Sequence, residues 1–252
     1  LIVDFRFRIS DRCHAAHPQS NIQNPKSKIM PNPNAPILLA IDTCTSRASI
    51  ALRDAHAVRA EMTWECRRHE TALVSSRIKD LMTACRITPA DIGAVAVAIG
   101  PGSFTGVRCG LAIAKGMAVA LSIPLIGVTA FDVIAHQQPL HMNRTPMLAL
   151  VEAGRNRAAA CRYEWQEGVP AVAGDWWIQA FPELSAAIDT PMMVCGDIAP
   201  ELATLLQGRV EMAPAALNMR RAGFLAELGY SRWQRNEVDN AITLTAIYPA
   251  EA

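Results

Sequence analysis

The chain is 252 residues long, 51% hydrophobic and 19% charged, enough for one large buried core or two smaller ones and too apolar for a disordered chain. Its formal net charge is +1, and the basic excess lies in residues 1–34, where Arg6, Arg8, Arg12, Lys26 and Lys28 outnumber Asp4 and Asp11; the remainder therefore offers no basic stripe for gripping a polynucleotide unaided. Seven cysteines with no C-x-x-C spacing argue against a disulfide framework or zinc ribbon and for a reducing, cytoplasmic setting, and no apolar run reaches the roughly 18–20 residues of a membrane span, because Arg108 and Lys115 interrupt the nearest one, residues 107–121.

The first methionine is Met30, and the stretch HPQSNIQNPKSKIMPNPNAP is polar and rich in Pro and Asn. Residues 1–34 are therefore expected to be an extension outside the fold, and no signal-peptide pattern is visible in them. Three strands follow. Residues 37–42 are largely apolar; Ala48, Ile50 and Leu52 alternate with Ser49, Ala51 and Arg53; Val58, Ala60, Met62 and Trp64 alternate with Arg59, Glu61 and Thr63. Short turns join them into an antiparallel meander. A helix is predicted over about residues 70–85, its apolar face formed by Leu73, Val74, Ile78, Leu81, Met82 and Cys85. Thr88-Pro89 then starts a brief turn.

The stretch AVAVAIGPGSFTGVRCGLAIAKGMAVALSIPLIGV, residues 94–128, is the centre of the pattern. An apolar run at 94–99 reads as a strand buried on both faces. Gly100, Pro101 and Gly102 stop it, because Pro cannot donate to a ladder and Gly admits unusual backbone angles. Ser103 or Thr105 can cap the helix that follows, and residues 125–128 form the next strand. Gly106, Gly110, Ala114 and Ala118 recur every four residues, leaving one flank of the helix almost without side chains. Helical Gly costs roughly 0.5–1 kcal/mol relative to Ala, so something must approach that backbone closely. Two compatible readings stand: the chain's own sheet, or a helix of another subunit, with Val107, Leu111, Met117 and Leu121 serving the core from the other face. The turn GPGSFTG lacks the Lys-Ser/Thr of a P-loop and the spacing of a dinucleotide fingerprint.

Beyond residue 143 the pattern loosely repeats. Strands are predicted at 147–151, 158–165 and 192–195, helices at 181–188 and 199–206, and one long helix at about 215–234. Three antiparallel strands, a helix, a strand, a helix and a strand make an RNase-H-like half. The expected division is an extension (1–34), a first subdomain (35–142) and a second, divergent one (143–252).

The segment GPGSFTGVRCGLAIAKG, together with ILLAIDTCTSRASIAL at residues 37–52 and a His before a long helix at Arg68-His69-Glu70, resembles the TsaB (YeaZ) family. The similarity runs from about residue 37 to 129 and thins afterwards. It implies an α/β fold of two RNase-H-like halves in the actin/sugar-kinase/Hsp70-like architecture. It also implies a non-catalytic scaffold that pairs with a TsaD-type catalytic subunit and, through it, with a TsaE-type ATPase. That complex transfers a threonylcarbamoyl group to N6 of the adenosine 3′ of the anticodon, in tRNAs reading codons that begin with A. The resemblance places ATP and metal on the partner subunits, with no cofactor in this one. It brings tRNA in only through the complex, involves no membrane, and allows a homodimer when the chain is alone. The implied partner face comprises Thr71, Val74, Ser75, Ile78, Gly106, Arg108, Gly110, Ala114, Met117 and Ala118.

Other candidates each have a plainer counterpart. Asp42-Thr43-Cys44-Thr45-Ser46 at the first hairpin resembles the phosphate loop of actin-like ATPases, whose Asp helps position the metal; an Asx or Ser/Thr turn explains Asp42, Thr43, Thr45 and Ser46 equally. The matching position in the second half reads Glu152-Ala153-Gly154-Arg155, not a second phosphate loop. His69-Glu70 has no ligand one turn on, since Leu73 and Val74 stand there, which argues against a metallopeptidase. Trp165, Trp176 and Trp177 could stack on bases or serve the core. The alternative to the scaffold is a stand-alone actin-like ATPase or small-molecule kinase.

Overall fold

In the computed structural model, residues 37–66, 73–139, 145–188 and 190–248 are described; the extension 1–34, His69-Glu70 and Thr71 lie outside them. Strand β1 (Ile37–Asp42) is buried at every position because both faces of its sheet are covered. It pairs antiparallel with β2 (Arg47–Arg53), which pairs antiparallel with β3 (Val58–Glu65). On its other side it runs parallel to β4 (Ile92–Ala98), which runs parallel to β5 (Leu125–Val128). The order β3-β2-β1-β4-β5 is the RNase-H-like half expected from the sequence. Because strand side chains alternate, Ile37, Leu39 and Ile41 face helices α1 (Val74–Ala84) and α2 (Phe104–Leu121), while Leu38 and Ala40 face the opposite layer.

The second sheet repeats this topology. β6 (Met147–Glu152) pairs antiparallel with β7 (Arg157–Gln166), and β7 with β8 (Val169–Val172) and, at its other end, with β9 (Trp177–Ala180). β6 runs parallel to β10 (Met193–Gly196), and β10 to β11 (Glu211–Met212). Helices α4 (Phe181–Ala187) and α5 (Pro200–Leu206) cover one face. The molecule is thus a pair of RNase-H-like halves, in which β8, β9 and β11 are strands too short for sequence periodicity to mark.

The remaining faces are covered by exchange. Helix α3 (Ala130–His136), which the periodicity did not predict, follows β5 yet packs its Ala130, Phe131, Ile134 and Ala135 on the second sheet. Helix α7 (Ala222–Gln234) packs its Ala222, Leu225, Ala226 and Leu228 on the first. The boundary expected at 142/143 therefore does not divide the packing, since each half contributes a helix to the other. Close approach of α7 is permitted by small residues on both sides: Ala94, Ala96 and Ala98 line the sheet face, and a Cβ on Gly229 would sit 2.5 Å from that of Ala96. The first N–H groups of α7, which lack intrahelical acceptors, go to the first sheet. Ala222 N donates to Ser49 Oγ at 2.7 Å and Gly223 N to Glu61 Oε1 at 3.2 Å.

The single long helix expected over 215–234 is two. A short α6 (Ala215–Asn218) ends before α7 begins. Side chains at the end of α3 take up the backbone groups of the break: Gln137 Nε2 donates to the carbonyls of Leu217 and Met219, and Gln137 Oε1 accepts from Arg221 N. Beyond α7 the chain returns across the first half. Asp239 N donates to Leu125 O, Asp239 Oδ2 accepts from Gly127 N, and Ile247 N donates to Ile99 O.

The small-residue stripe of α2 faces inward. Gly106, Gly110, Ala114 and Ala118 are buried beside Val107 and Leu111, so stripe and core face are one surface rather than two. A Cβ on Gly106 would overlap the Thr43 carbonyl oxygen, and one on Gly110 the Thr43 hydroxyl. On the opposite flank a Cβ on Gly116 would meet nothing within 4 Å among the described residues. Gly110→Ala is therefore expected to lower unfolding free energy by about 1–3 kcal/mol through overpacking. Gly116→Ala should raise it by about 0.5–1 kcal/mol through helix propensity. Denaturant titration of the two variants checks the pair.

Candidate functional site

Parallel strands leave a crevice beyond their carboxyl ends, and here both halves open theirs toward each other. The cleft, about 1070 Å³, is lined from the first half by Thr45, Ser46, Gly102, Ser103 and Phe104, and from the second by Glu152, Gly154, Asp197 and Asn218. Its floor is an ion cluster drawn from distant parts of the chain. Asp42, the last residue of β1, is 1% exposed, and Arg220, in the break between α6 and α7, is 5% exposed. Arg220 Nε donates to Asp42 Oδ2 at 2.7 Å and its Nη2 to Asp42 Oδ1 at 3.4 Å. Nη1 reaches Asp197 Oδ2, just past β10, at 3.2 Å, and Nη2 reaches Thr45 Oγ1 at 3.1 Å. Burial pushes the Asp197 carboxyl above its usual range, against the opposing pull of Arg220. Neither Arg220 nor Asp197 stands out in the sequence: no spacing marks two residues that lie far from Asp42 and meet it only through the fold.

The first hairpin loop is held by the chain itself. Asp42 Oδ1 also accepts from Cys44 N at 2.9 Å, an Asx turn, and Thr43 Oγ1 donates to Gly106 O at 2.7 Å. Thr45 and Ser46 line the cleft, and Thr45 accepts from Arg220. The Gly100–Ser103 turn explains its own glycines. Gly100 has φ +100°, and a Cβ there would overlap the Ile247 carbonyl, as one on Gly102 would the Cys44 carbonyl. Ser103 N donates to Cys44 O at 2.6 Å, and Ser103 Oγ caps α2 by accepting from Gly106 N; Thr105 is exposed and does not cap. Corner and loop are thus fitted to one another.

The residues expected at a partner face separate into two groups. Val74, Ile78, Gly106, Gly110, Ala114 and Ala118 are buried against the first sheet, which corrects their assignment: each is covered by this chain's own core. Ser75 and Arg108 are exposed, Met117 is half-buried, and Thr71 lies outside the described residues. Arg108 is stacked 3.6 Å over the ring of Phe104 and donates to the Tyr248 hydroxyl at 2.8 Å. The outward flank of α2 instead presents Ala112, Gly116, Val119 and Ala120, all exposed, and Val119 is 67% exposed. Although α2 is long and apolar enough by length and composition to cross a membrane, a third of it is buried in the protein, and Lys115 is tied to Ile242 O.

The remaining candidates have structural explanations. Gly154, Arg155 and Asn156 all have positive φ and turn β6 into β7. Trp165 Nε1 donates to Thr145 O, Trp176 packs on Phe131 with ring centroids 6.1 Å apart, and Trp177 Nε1 donates to Gln179 Oε1.

A sequence model of the TsaD family, tRNA N6-adenosine threonylcarbamoyltransferase, matches residues 65–184. Over 130 residues the chain is 35% identical to the tRNA threonylcarbamoyladenosine biosynthesis protein TsaB of Escherichia coli (strain K12), covering 52% of this chain and 56% of that protein. Over 98 residues it is 35% identical to the protein of the same name from Bacillus subtilis (strain 168), covering 39% of this chain and 43% of that one. The chain spans about half the length of the curated relatives it matches. Among solved structures, YeaZ from Pseudomonas aeruginosa superposes with a TM-score of 0.72 at 22% identity, over 84% of this chain and 99% of that one, which shows a shared fold.

Two thiols report on this packing. Burial and the neighbouring Asp42 push Cys44 well above the usual thiol range, and burial raises Cys195 to about 12. Both folded values lie above the unfolded value of 9.0. Their contribution to stability is therefore fully present below about pH 9 and is lost as pH rises toward the folded values. Unfolding free energy is expected to fall above pH 9, and less steeply in Cys195→Ala, as measured by denaturant titration across pH 8–11.

Proposed function

We propose that this chain is a protein of the TsaB (YeaZ) family and a scaffold subunit of the complex that makes threonylcarbamoyladenosine in tRNA, a reading supported by its similarity to the TsaB proteins of two bacteria and to the fold of YeaZ. Its partners in this reading are a TsaD-type catalytic subunit and, through that subunit, a TsaE-type ATPase. The complex moves a threonylcarbamoyl group from its adenylate to N6 of the adenosine 3′ of the anticodon. ATP and metal reside on the partner subunits, tRNA is met through the assembly, and the setting is cytoplasmic.

The observation that carries the scaffold reading is the outer flank of α2. An apolar helix that buries only a third of itself leaves Ala112, Gly116, Val119 and Ala120 facing outward. A flank of small side chains lets another helix approach closely, and burying apolar surface there is worth about 25 cal/mol per Å². At the N-terminus of α1, Leu73 is 42% exposed, and Ser75 and Ser76 are exposed as well. A homodimer through this face would form when the chain is alone. The chemistry of the cleft supports the scaffold reading over a stand-alone ATPase or kinase, since the Asp42 oxygens already have partners within the chain.

Gly116→Arg is expected to leave the fold of the chain intact by circular dichroism and not to lower its melting midpoint, because nothing among the described residues lies within 4 Å of a Cβ at that position. It should reduce co-elution with the TsaD-type subunit at least tenfold. Unchanged co-elution would remove the α2 flank from the interface. Calorimetric titration of Mg-ATP into the isolated chain addresses the alternative, for which micromolar binding would speak.

A further inference from the structure

Actin-like architecture implies a divalent cation and a nucleotide in the cleft between the halves, and the residues here do not fit that cation. Both Asp42 oxygens are engaged by Arg220, and Oδ1 also accepts from Cys44 N. The Asp42 and Arg220 side chains are 1% and 4% exposed, and Asp197 is 20% exposed. Two carboxylates, one from the end of a strand in each sheet, thus share one guanidinium. Glu152, the last residue of β6 as Asp42 is of β1, adds a third negative charge acting on Asp197. Without a cation among them these carboxylates repel across the cleft, and a buried one left unpaired is strongly destabilising.

The position of Arg220 is itself built. It lies in the α6–α7 break, whose carbonyls at Leu217 and Met219 are taken by Gln137 at the end of α3. The following residue donates its N–H to the same Gln137, and the next starts α7 by donating to Ser49. The guanidinium is therefore held where the two exchanged helices meet, directly beneath the cleft. A planar fork with five donors can satisfy carboxylates from two directions, as a metal ion does, while remaining attached to the chain.

We infer that Arg220 is a built-in counter-ion that stands in for a divalent cation between the two halves, so that the cleft keeps its register with no ligand bound. This goes beyond the scaffold reading and does not rest on it. Arg220→Ala is expected to lower the melting midpoint of the full chain by about 10 °C. Millimolar MgCl2 or CaCl2 should restore at least half of the loss, whereas NaCl of equal ionic strength should not, and wild type should respond to neither. The Arg220→Ala, Asp42→Asn double variant should regain stability without metal and lose the response to it. If Arg220→Ala does not fold in EDTA, refolding that succeeds only with MgCl2 supports the inference. Failure with and without MgCl2 overturns it, as does a variant melting like wild type, one that ignores divalent ions, or an equal response from wild type.

Discussion

A sheet with two apolar faces must have both covered, and each half of this molecule carries the helices for one face only. α1 and α2 cover one side of the first sheet, and α4 and α5 one side of the second. The uncovered sides are completed by α7 and α3, each contributed from the far side of the sequence. Neither half closes its core alone, and other features follow from that dependence. The alanine face of β4 and Gly229 let α7 sit low on the first sheet. The α6–α7 break lets the chain change direction where it crosses between halves. Gln137 and Gln138, just past α3, hold that break, their amides both reaching Leu217 O.

The crossing point is also where charge accumulates. Parallel strands from both sheets end there, bringing Glu152 and Asp197 to the wall of the cleft and burying Asp42 close to Asp197 through their shared partner Arg220. Arg220 is the cation that geometry supplies, and its 2.7 Å contact with Asp42 joins the end of β1 to the start of α7. Electrostatics and packing therefore act at one place. The helices that exchange halves deliver the side chain that compensates the charge their exchange brings together.

Helix α2 shows how one element can meet two demands. Its inner flank is bare so that the hairpin carrying Asp42 can lie against it: Thr43 bonds to Gly106 O, and Cys44 O receives Ser103 N. Its outer flank is bare where Gly116 has no neighbour among the described residues. Small residues on the inside are accounted for by this chain's own sheet. Those on the outside have no such account among the described residues, and they carry the scaffold reading.

Several features were legible in the sequence because they are local. An apolar run and two alternating stretches in residues 37–65 mark three strands, the glycine–proline corner marks the end of β4, and two sequence motifs carry the resemblance to the TsaB (YeaZ) family. Each depends on backbone geometry or on a run of neighbouring residues. The covering partner of the α2 stripe was not legible, because a glycine states that something comes close but not what. Nor was α3, seven residues long, nor the break that Gln137 stabilises from a distant segment. The Asp42–Arg220–Asp197 cluster joins three separate parts of the chain, and no periodicity links them. Sequence by itself determined most of the elements and the RNase-H-like order. Tertiary structure decided which helix covers which sheet and which charge sits in the cleft, because burial and charge compensation are settled between residues that meet only when the chain is folded.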